Sequence, residues 1–154
     1  MIEEGAPAPG FELPNEDGDT VSLAALRGKP VVLFFYPKDD TPGCTKEACS
    51  FRDEYHRFVE RGAVVLGISP DSEKSHVKFR AKFALPYSLL ADTDHAVCEA
   101  YDVWREKSMY GRKYWGVFRS TFVIGADGTV ARALYGVKPE GHADEVLAAL
   151  TSVG

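Results

Sequence analysis

Cys44 and Cys49, in the stretch PKDDTPGCTKEACSF, are the residues of this chain whose type and spacing most readily suggest chemistry. A thiol reacts as a nucleophile only in its thiolate form. The residues before Cys44 favour that form. Thr41 is a good helix N-cap, and Pro42 suits the first helical position, where its missing N–H costs nothing. Counting from that cap, Cys44 is the third helical residue. Unsatisfied backbone N–H groups and the positive end of the helix dipole both favour an anion there.

Cys49 lies further along the same helix, with four residues between the two thiols. In an ideal helix, Cα atoms five positions apart are roughly 8.6 Å from each other and about 140° apart around the axis. A disulfide needs Cα atoms within about 7 Å and converging Cβ vectors. The pair therefore cannot close while the helix is intact, and closure requires its first turns to unwind. Two small core residues would show the same spacing, so a purely structural pair stays open at this level. A zinc site fits poorly, because His56, His76, His95 and His142 do not stand at ligand spacing from the cysteines.

The elements that must hold these residues can be read from periodicity. Residues 11–23, FELPNEDGDTVSL, predict two short strands around a turn at Asp17-Gly18. PVVLFFYP is an apolar, β-branched run of the kind found in a strand buried on both faces. A helix is expected from Pro42 to about Arg61, with Cys44, Ala48, Phe51, Tyr55, Phe58 and Val59 on its buried stripe. AVVLGISP is the next buried strand. DSEKSHVKFRAKF, residues 71–83, reads as a helix capped by Asp71, with Val77, Phe79 and Phe83 as its apolar set. YSLLAD predicts a short strand and DTDHAVCEAYDV a short helix. Segment 104–118, WREKSMYGRKYWGVF, has no clean period and reads as a loop. RSTFVIGADGTVARALYGV predicts a hairpin turning at Asp127-Gly128, and GHADEVLAAL a closing amphipathic helix. Alternating strands and helices followed by a hairpin and helix imply an α/β fold, with a mixed central sheet covered by helices on both faces.

The chain of 154 residues suits one domain spanning 1–154. With 45% hydrophobic and 27% charged residues it has the composition of a globular protein. A net charge of −5 without a basic run argues against nucleic acid as a partner. No apolar run reaches the length of a membrane span, and the acidic start MIEEGAPAPGF does not resemble a signal peptide, so a cytoplasmic location is expected. Three cysteines in that setting suggest reduced, reactive or buried thiols rather than a disulfide framework.

At PKDDTPGCTKEAC the chain resembles the peroxiredoxins, and within them the PrxQ or bacterioferritin comigratory protein group. The family pattern is a proline, three residues, a threonine, two residues and the peroxidatic cysteine. Pro37, Thr41 and Cys44 match it, and Cys49 matches the group's resolving cysteine. The likeness runs from GAPAPGFELPNEDGDTVSL through RSTFVIGADG to the last helix. It implies a thioredoxin fold with an added N-terminal hairpin, and an arginine, distant in sequence, that approaches the cysteine sulfur. FRSTFVI matches that motif at Arg119.

The resemblance implies a thiol-dependent peroxidase without a cofactor or metal. Cys44 would attack a hydroperoxide and become a sulfenic acid. Thr41 and Arg119 would hold the peroxide, and Pro37 would pack over the sulfur. Cys49 would then form a disulfide with Cys44, and thioredoxin or a similar dithiol would reduce it. Glu47, on the same helix face as Cys44, is a candidate partner of Arg119; the alternative is a solvated carboxylate. Tyr36, Phe118 and Trp115 read as peroxide-pocket lining or ordinary core, with core the better reading for Tyr36 and Phe118, and the segment around Trp104 and Trp115 as a possible docking surface for the reductant. Cys98 reads as a buried, inert thiol. With only TSVG after the last helix, resolution is expected within one chain and the protein is expected to be a monomer. Two rivals stand beside this reading. One is a thioredoxin-like oxidoreductase, whose cysteines usually lie two residues apart. The other is a redox sensor or holdase that exposes apolar surface when the helix unwinds.

Overall fold

The apolar run after Pro30 becomes the central strand because its alternate side chains find cover on both sides. In the computed structural model, which describes residues 1–153, the N-terminal segment forms β1 (Glu12–Pro14) and β2 (Thr20–Ser22). The central strand β3 (Val31–Phe35) leads into α1 (Pro42–Asp53), α2 (Tyr55–Glu60), β4 (Val64–Ser69), α3 (Glu73–Phe83), β5 (Ser88–Ala91) and α4 (Ala96–Ala100). A hairpin of β6 (Trp104–Met109) and β7 (Arg112–Val117) precedes β8 (Ser120–Ile124), β9 (Val130–Tyr135) and α5 (His142–Val153). Gly154, the end of the TSVG tail, lies outside the described residues.

The main sheet has the order β5-β4-β3-β8-β9. β3 pairs with β4 in parallel and with β8 antiparallel, so it occupies the middle of a mixed sheet. Its period-two alternation divides the core. Val32, Phe34 and Tyr36 face one side, where Ala48 and Phe51 of α1, Phe58 of α2, Phe79 of α3 and Val146, Leu147 and Leu150 of α5 cover them. Val31, Leu33 and Phe35 face the other, covered by Val97 and Cys98 of α4, by Tyr101, and by Phe11, Leu13 and Leu23 around the N-terminal hairpin. Helices thus lie on both faces; among the described residues the second carries one short α-helix, α4, and is completed by the added hairpin. Among the described residues no helix is long and apolar enough to cross a membrane.

Three sequence expectations are corrected here. The helix from Pro42 does not run unbroken to Arg61: Glu54, at φ −103° and ψ 8°, separates α1 from α2, which buries Phe58 and leaves Val59 exposed. Helix α3 is capped by Ser72, not Asp71. The Ser72 hydroxyl oxygen accepts the Ser75 N–H at 3.1 Å, and α3 buries His76 and Phe79 while Val77 is exposed. Segment 104–118 is a two-stranded hairpin, not a loop. Its strands are largely exposed on both faces, so no apolar alternation marks them, and its turn takes positive φ at Tyr110 and Gly111.

Candidate active site

Chain order alone brings Cys44 to the end of β3; what fixes it there is a buried polar cluster beneath the connecting loop. The Tyr36 hydroxyl donates to Asp39 Oδ1 at 2.6 Å, and Ser75 Oγ donates to Asp39 Oδ2 at 2.8 Å. His76 places Nδ1 2.7 Å from Asp39 Oδ2 and Nε2 3.0 Å from the Leu90 carbonyl. A carbonyl only accepts, so Nε2 carries hydrogen on the side of Leu90. The Asp39 N–H donates to Asp71 Oδ2 at 2.7 Å. These bonds tie residues 36–39 to α3 and β5, so the loop reaches Thr41 from a fixed base.

Thr41 occupies the N-cap position with extended backbone, but its side chain does not cap. Its hydroxyl donates to the Lys38 carbonyl at 2.8 Å, which corrects the expected capping bond. The helix ladder begins with the Thr45 N–H on the Thr41 carbonyl at 2.8 Å. Gly43 and Cys44 precede that first bond, so their amides belong to the unpaired set at the helix start. Cys44 is buried.

Arg119 reaches the same point from the start of β8. Its Nη2 donates to Cys44 Sγ at 3.3 Å, and its Nη1 donates to Glu47 Oε1 at 2.7 Å. Gly43 permits this approach, since a Cβ there would lie 3.2 Å from Arg119 Nη2. Glu47 is fully buried, which excludes the solvated-carboxylate alternative. Burial pushes its carboxyl up to about 7, against the lowering effect of the Arg119 charge. Arg119 is itself partly desolvated, which works against its charge, yet the charges of Glu47 and Cys44 prevail and hold its proton more tightly than usual. One guanidinium thus bridges the Cys44 sulfur and the Glu47 carboxyl, two groups a single helical turn apart.

Several neighbours carry no sequence signal of their own. His142, at the start of α5, lies behind Glu47 with Nε2 3.7 Å from Glu47 Oε2 and 2.6 Å from Thr121 Oγ1. Lys107 of β6 is half-buried, and burial, then the Arg119 charge, lower its proton affinity while Cys44 raises it. Beside α1 lies an open groove lined by Pro42, Gly43, Lys46, Lys138, Pro139 and Glu140. Pro37 is half-buried in the loop between β3 and α1.

Cys49 is half-buried and unbonded, and desolvation pushes its thiol up. Cys98 is fully buried on the opposite face of the sheet, where desolvation, reinforced by Asp92, raises its thiol far above the usual range. Tyr36 belongs to the core, Phe118 is half-buried beneath Arg105, and Trp115 is exposed on the hairpin. Among the described residues no group of three His, Cys, Asp or Glu side chains is placed to hold a metal ion.

Residues 5–133 match the family described as AhpC/TSA. A putative peroxiredoxin bcp of Coxiella burnetii is 50% identical over 149 residues, covering 97% of this chain and 99% of that protein. Peroxiredoxin Bcp of Bacillus subtilis is 48% identical over 149 residues, covering 97% and 95%. The solved structure of the Xanthomonas campestris bacterioferritin comigratory protein, described for its alkyl peroxide reduction activity, superposes with a TM-score of 0.91 at 41% identity. That match covers 97% of this chain and 98% of the other.

Proposed function

We infer the function from the premise that the chain belongs to the AhpC/TSA family, as a peroxiredoxin of the Bcp/PrxQ group: it is a thiol-dependent peroxidase. The residue roles proposed for this chain rest on one observation, the Arg119 guanidinium shared between Cys44 Sγ and the buried Glu47.

In the proposed cycle the Cys44 thiolate attacks the terminal oxygen of a hydroperoxide. The S–O bond forms as the O–O bond breaks, leaving a sulfenic acid and an alkoxide or hydroxide that takes up a proton. Arg119 and the free amides at the start of α1 stabilise the negative charge as it moves to the leaving oxygen. The Thr41 proton is committed to Lys38, so its oxygen offers a lone pair to the peroxide hydroxyl. Pro37 limits water at the sulfur. The groove between Pro42 and Pro139 offers room for the organic part of an alkyl hydroperoxide, so both hydrogen peroxide and organic hydroperoxides are assigned as substrates.

Cys49 then attacks the sulfenic sulfur, forming the disulfide and releasing water. In the folded helix its thiol is held protonated by desolvation, so unwinding brings it within reach and also favours its thiolate. Unwinding of the first turns breaks the Glu47–Arg119 pair and the bond from the Tyr87 hydroxyl to the Ala48 carbonyl, so both resist it. An external dithiol, proposed to be thioredoxin, reduces the disulfide. The protein is proposed to act as a cytoplasmic monomer that resolves within one chain.

Coupled peroxide turnover with thioredoxin, thioredoxin reductase and a reduced nicotinamide cofactor tests this reading. Wild type turns over, and Cys44→Ser abolishes turnover. Cys49→Ser reacts once and accumulates a sulfenic acid that a dimedone-type reagent traps. Undiminished turnover in Cys44→Ser contradicts the role given to Cys44, and slow stoichiometric oxidation of wild type without turnover would favour the sensor reading.

A further inference from the structure

Residues 108–115, the tip of the β6–β7 hairpin, are all exposed. Among the described residues seven large apolar or aromatic side chains are exposed, and four of them, Met109, Tyr110, Tyr114 and Trp115, stand on this hairpin. Its strands pair only with each other. A two-stranded ribbon has little stability of its own, and a bare aromatic cluster at its tip adds none. Tyr110 is the clearest case. It takes φ 52°, a left-handed conformation that glycine or asparagine adopts readily and tyrosine does not. Its ring is 99% exposed, and among the described residues its side chain makes no hydrogen bond or ring contact. Nothing within the chain compensates for that backbone strain.

The charge of the hairpin narrows the kind of partner it fits. Between Trp104 and Phe118 the cations Arg105, Lys107, Arg112 and Lys113 stand against Glu106 alone, in a chain whose net charge is −5. Lys113 reaches Glu106 at 3.8 Å, and among the described residues Arg112 has no ion pair or side-chain hydrogen bond. Tryptophan, tyrosine, methionine and arginine are the residues enriched where proteins meet. Unpaired positive charge among them suits an acidic protein surface and repels a basic one.

The base of the hairpin is fixed beside the reaction centre. Cross-strand partners share a face, so Arg105, Lys107, Met109, Arg112 and Tyr114 lie on one side. There Arg105 packs over the Phe118 ring at 4.6 Å, and the Lys107 stem lies along Gly116, with its charge felt by Arg119 and Cys44. On the other side Trp104 stacks on His95 at 4.1 Å. Strand β7 runs through Phe118 into Arg119, which donates to Cys44 Sγ. A strand of this length covers roughly 17–20 Å, and a domain of about 100 residues has a radius of gyration of about 13 Å. A protein of that size seated on the tip therefore also overhangs Cys44.

We propose that the hairpin tip is the docking surface for the reductant, a small acidic dithiol protein of the thioredoxin kind, with Tyr110 and Trp115 as apolar anchors and Arg112 and Lys113 as charge contacts. This rests on the peroxidase reading of Cys44 and Cys49. The docked partner's thiolate attacks one sulfur of the Cys44–Cys49 disulfide, and its second thiol displaces the mixed disulfide. Two electrons and two protons pass to the peroxidase, which regains both thiols, and the partner leaves as a disulfide. A peroxide is too small to use such a surface, and a second copy seated there would cover Cys44 from its reductant.

The test compares recycling of wild type, Trp115→Ala, Tyr110→Asn and the double variant Arg112→Glu/Lys113→Glu by two reductants. One is dithiothreitol, which needs no docking; the other is an acidic thioredoxin with its reductase. With dithiothreitol all four proteins should turn over peroxide equally. With thioredoxin, kcat/KM for the reductant should fall about tenfold in Trp115→Ala and in the double variant, through KM. The wild-type constant should fall as salt is raised from about 20 to about 300 mM, and the double variant should lose this dependence. Tyr110→Asn should lose several-fold in the same constant while its melting temperature holds or rises, because asparagine suits the turn. Folded variants that thioredoxin recycles as well as wild type overturn the proposal, as does a wild type recycled by dithiothreitol and not by thioredoxin. A wild-type dimer that the variants dissociate on gel filtration, with unchanged thioredoxin kinetics, overturns it in favour of a second copy. Absence of turnover with dithiothreitol as well contradicts the peroxidase reading, and the docking with it, so the two failures are distinct.

Discussion

Tyr87→Phe isolates the cost of unwinding the helix that separates the two thiols. The Tyr87 hydroxyl is buried and donates to the Ala48 carbonyl of α1 at 2.6 Å, one residue before Cys49. Phenylalanine keeps the ring, which meets Phe34 edge-on at 5.6 Å and leans on Tyr55 at 6.1 Å, and removes only the bond. A bond of this kind contributes about 0.5–1.5 kcal/mol net. The Ala48 carbonyl, within α1, retains its helical partner, so no larger desolvation term is added. The ratio of unwound to wound helix should rise roughly 2- to 12-fold, and disulfide formation, which waits on unwinding, should accelerate by the same factor. The assay mixes reduced protein with one equivalent of hydrogen peroxide, quenches with a thiol-alkylating reagent and follows loss of the Cys49 thiol. The peroxide step should keep its wild-type rate, because Arg119 and its contacts are untouched. An unaltered or slower disulfide step in a folded variant would refute the argument that the anchoring of α1 controls resolution.

Three further outcomes are expected. In Gly43→Ala the new Cβ, built 3.2 Å from Arg119 Nη2, asks the guanidinium beside Cys44 Sγ to give by a few tenths of an ångström, and the peroxide step should slow by a few-fold with little change in melting temperature; an unchanged rate constant would contradict the tight fit. Glu47→Gln should alter stability in a pH-dependent way. The native carboxyl is raised to about 7 from an ordinary 4.5, so the folded state holds a proton that the unfolded chain has released between those values. The contribution of Glu47 is therefore complete below about pH 4.5 and is lost as pH rises through about 7. Chemical denaturation should show wild type losing up to about 3 kcal/mol relative to Glu47→Gln over that window, and a gain or a flat difference would contradict it. Cys98→Ala, behind the sheet, should retain peroxide turnover while losing about 1 kcal/mol of stability; loss of turnover in a folded variant would give Cys98 a role the geometry does not.

The parts of the site carried by local order were legible in the sequence. Thr41, Pro42, Cys44 and Cys49 share one helix start, and their spacing alone sets the thiols apart. Arg119 is 75 residues beyond Cys44, and only the family resemblance connected them. The Asp39–His76 pair and the Glu47–His142 contact join elements that meet only in three dimensions; a histidine at the head of an amphipathic helix looks the same whether it faces solvent or a buried carboxylate. The same limit explains the β6–β7 hairpin. Periodicity reports burial, and strands with little burial have no period to read. β3 was legible for the opposite reason, because every residue of it is buried.

The central claim is that Cys44 and Cys49 close on each other by unwinding α1, although the folded helix holds them apart. Peptide mapping under non-reducing conditions, after one equivalent of hydrogen peroxide and alkylation of free thiols, tests it directly. The account predicts a Cys44–Cys49 disulfide within one chain, with Cys98 alkylated only after denaturation and the protein unchanged in mass by gel filtration. A disulfide between chains, a bond from Cys44 to Cys98, or a lasting Cys44 sulfenic acid beside a free Cys49 would contradict it.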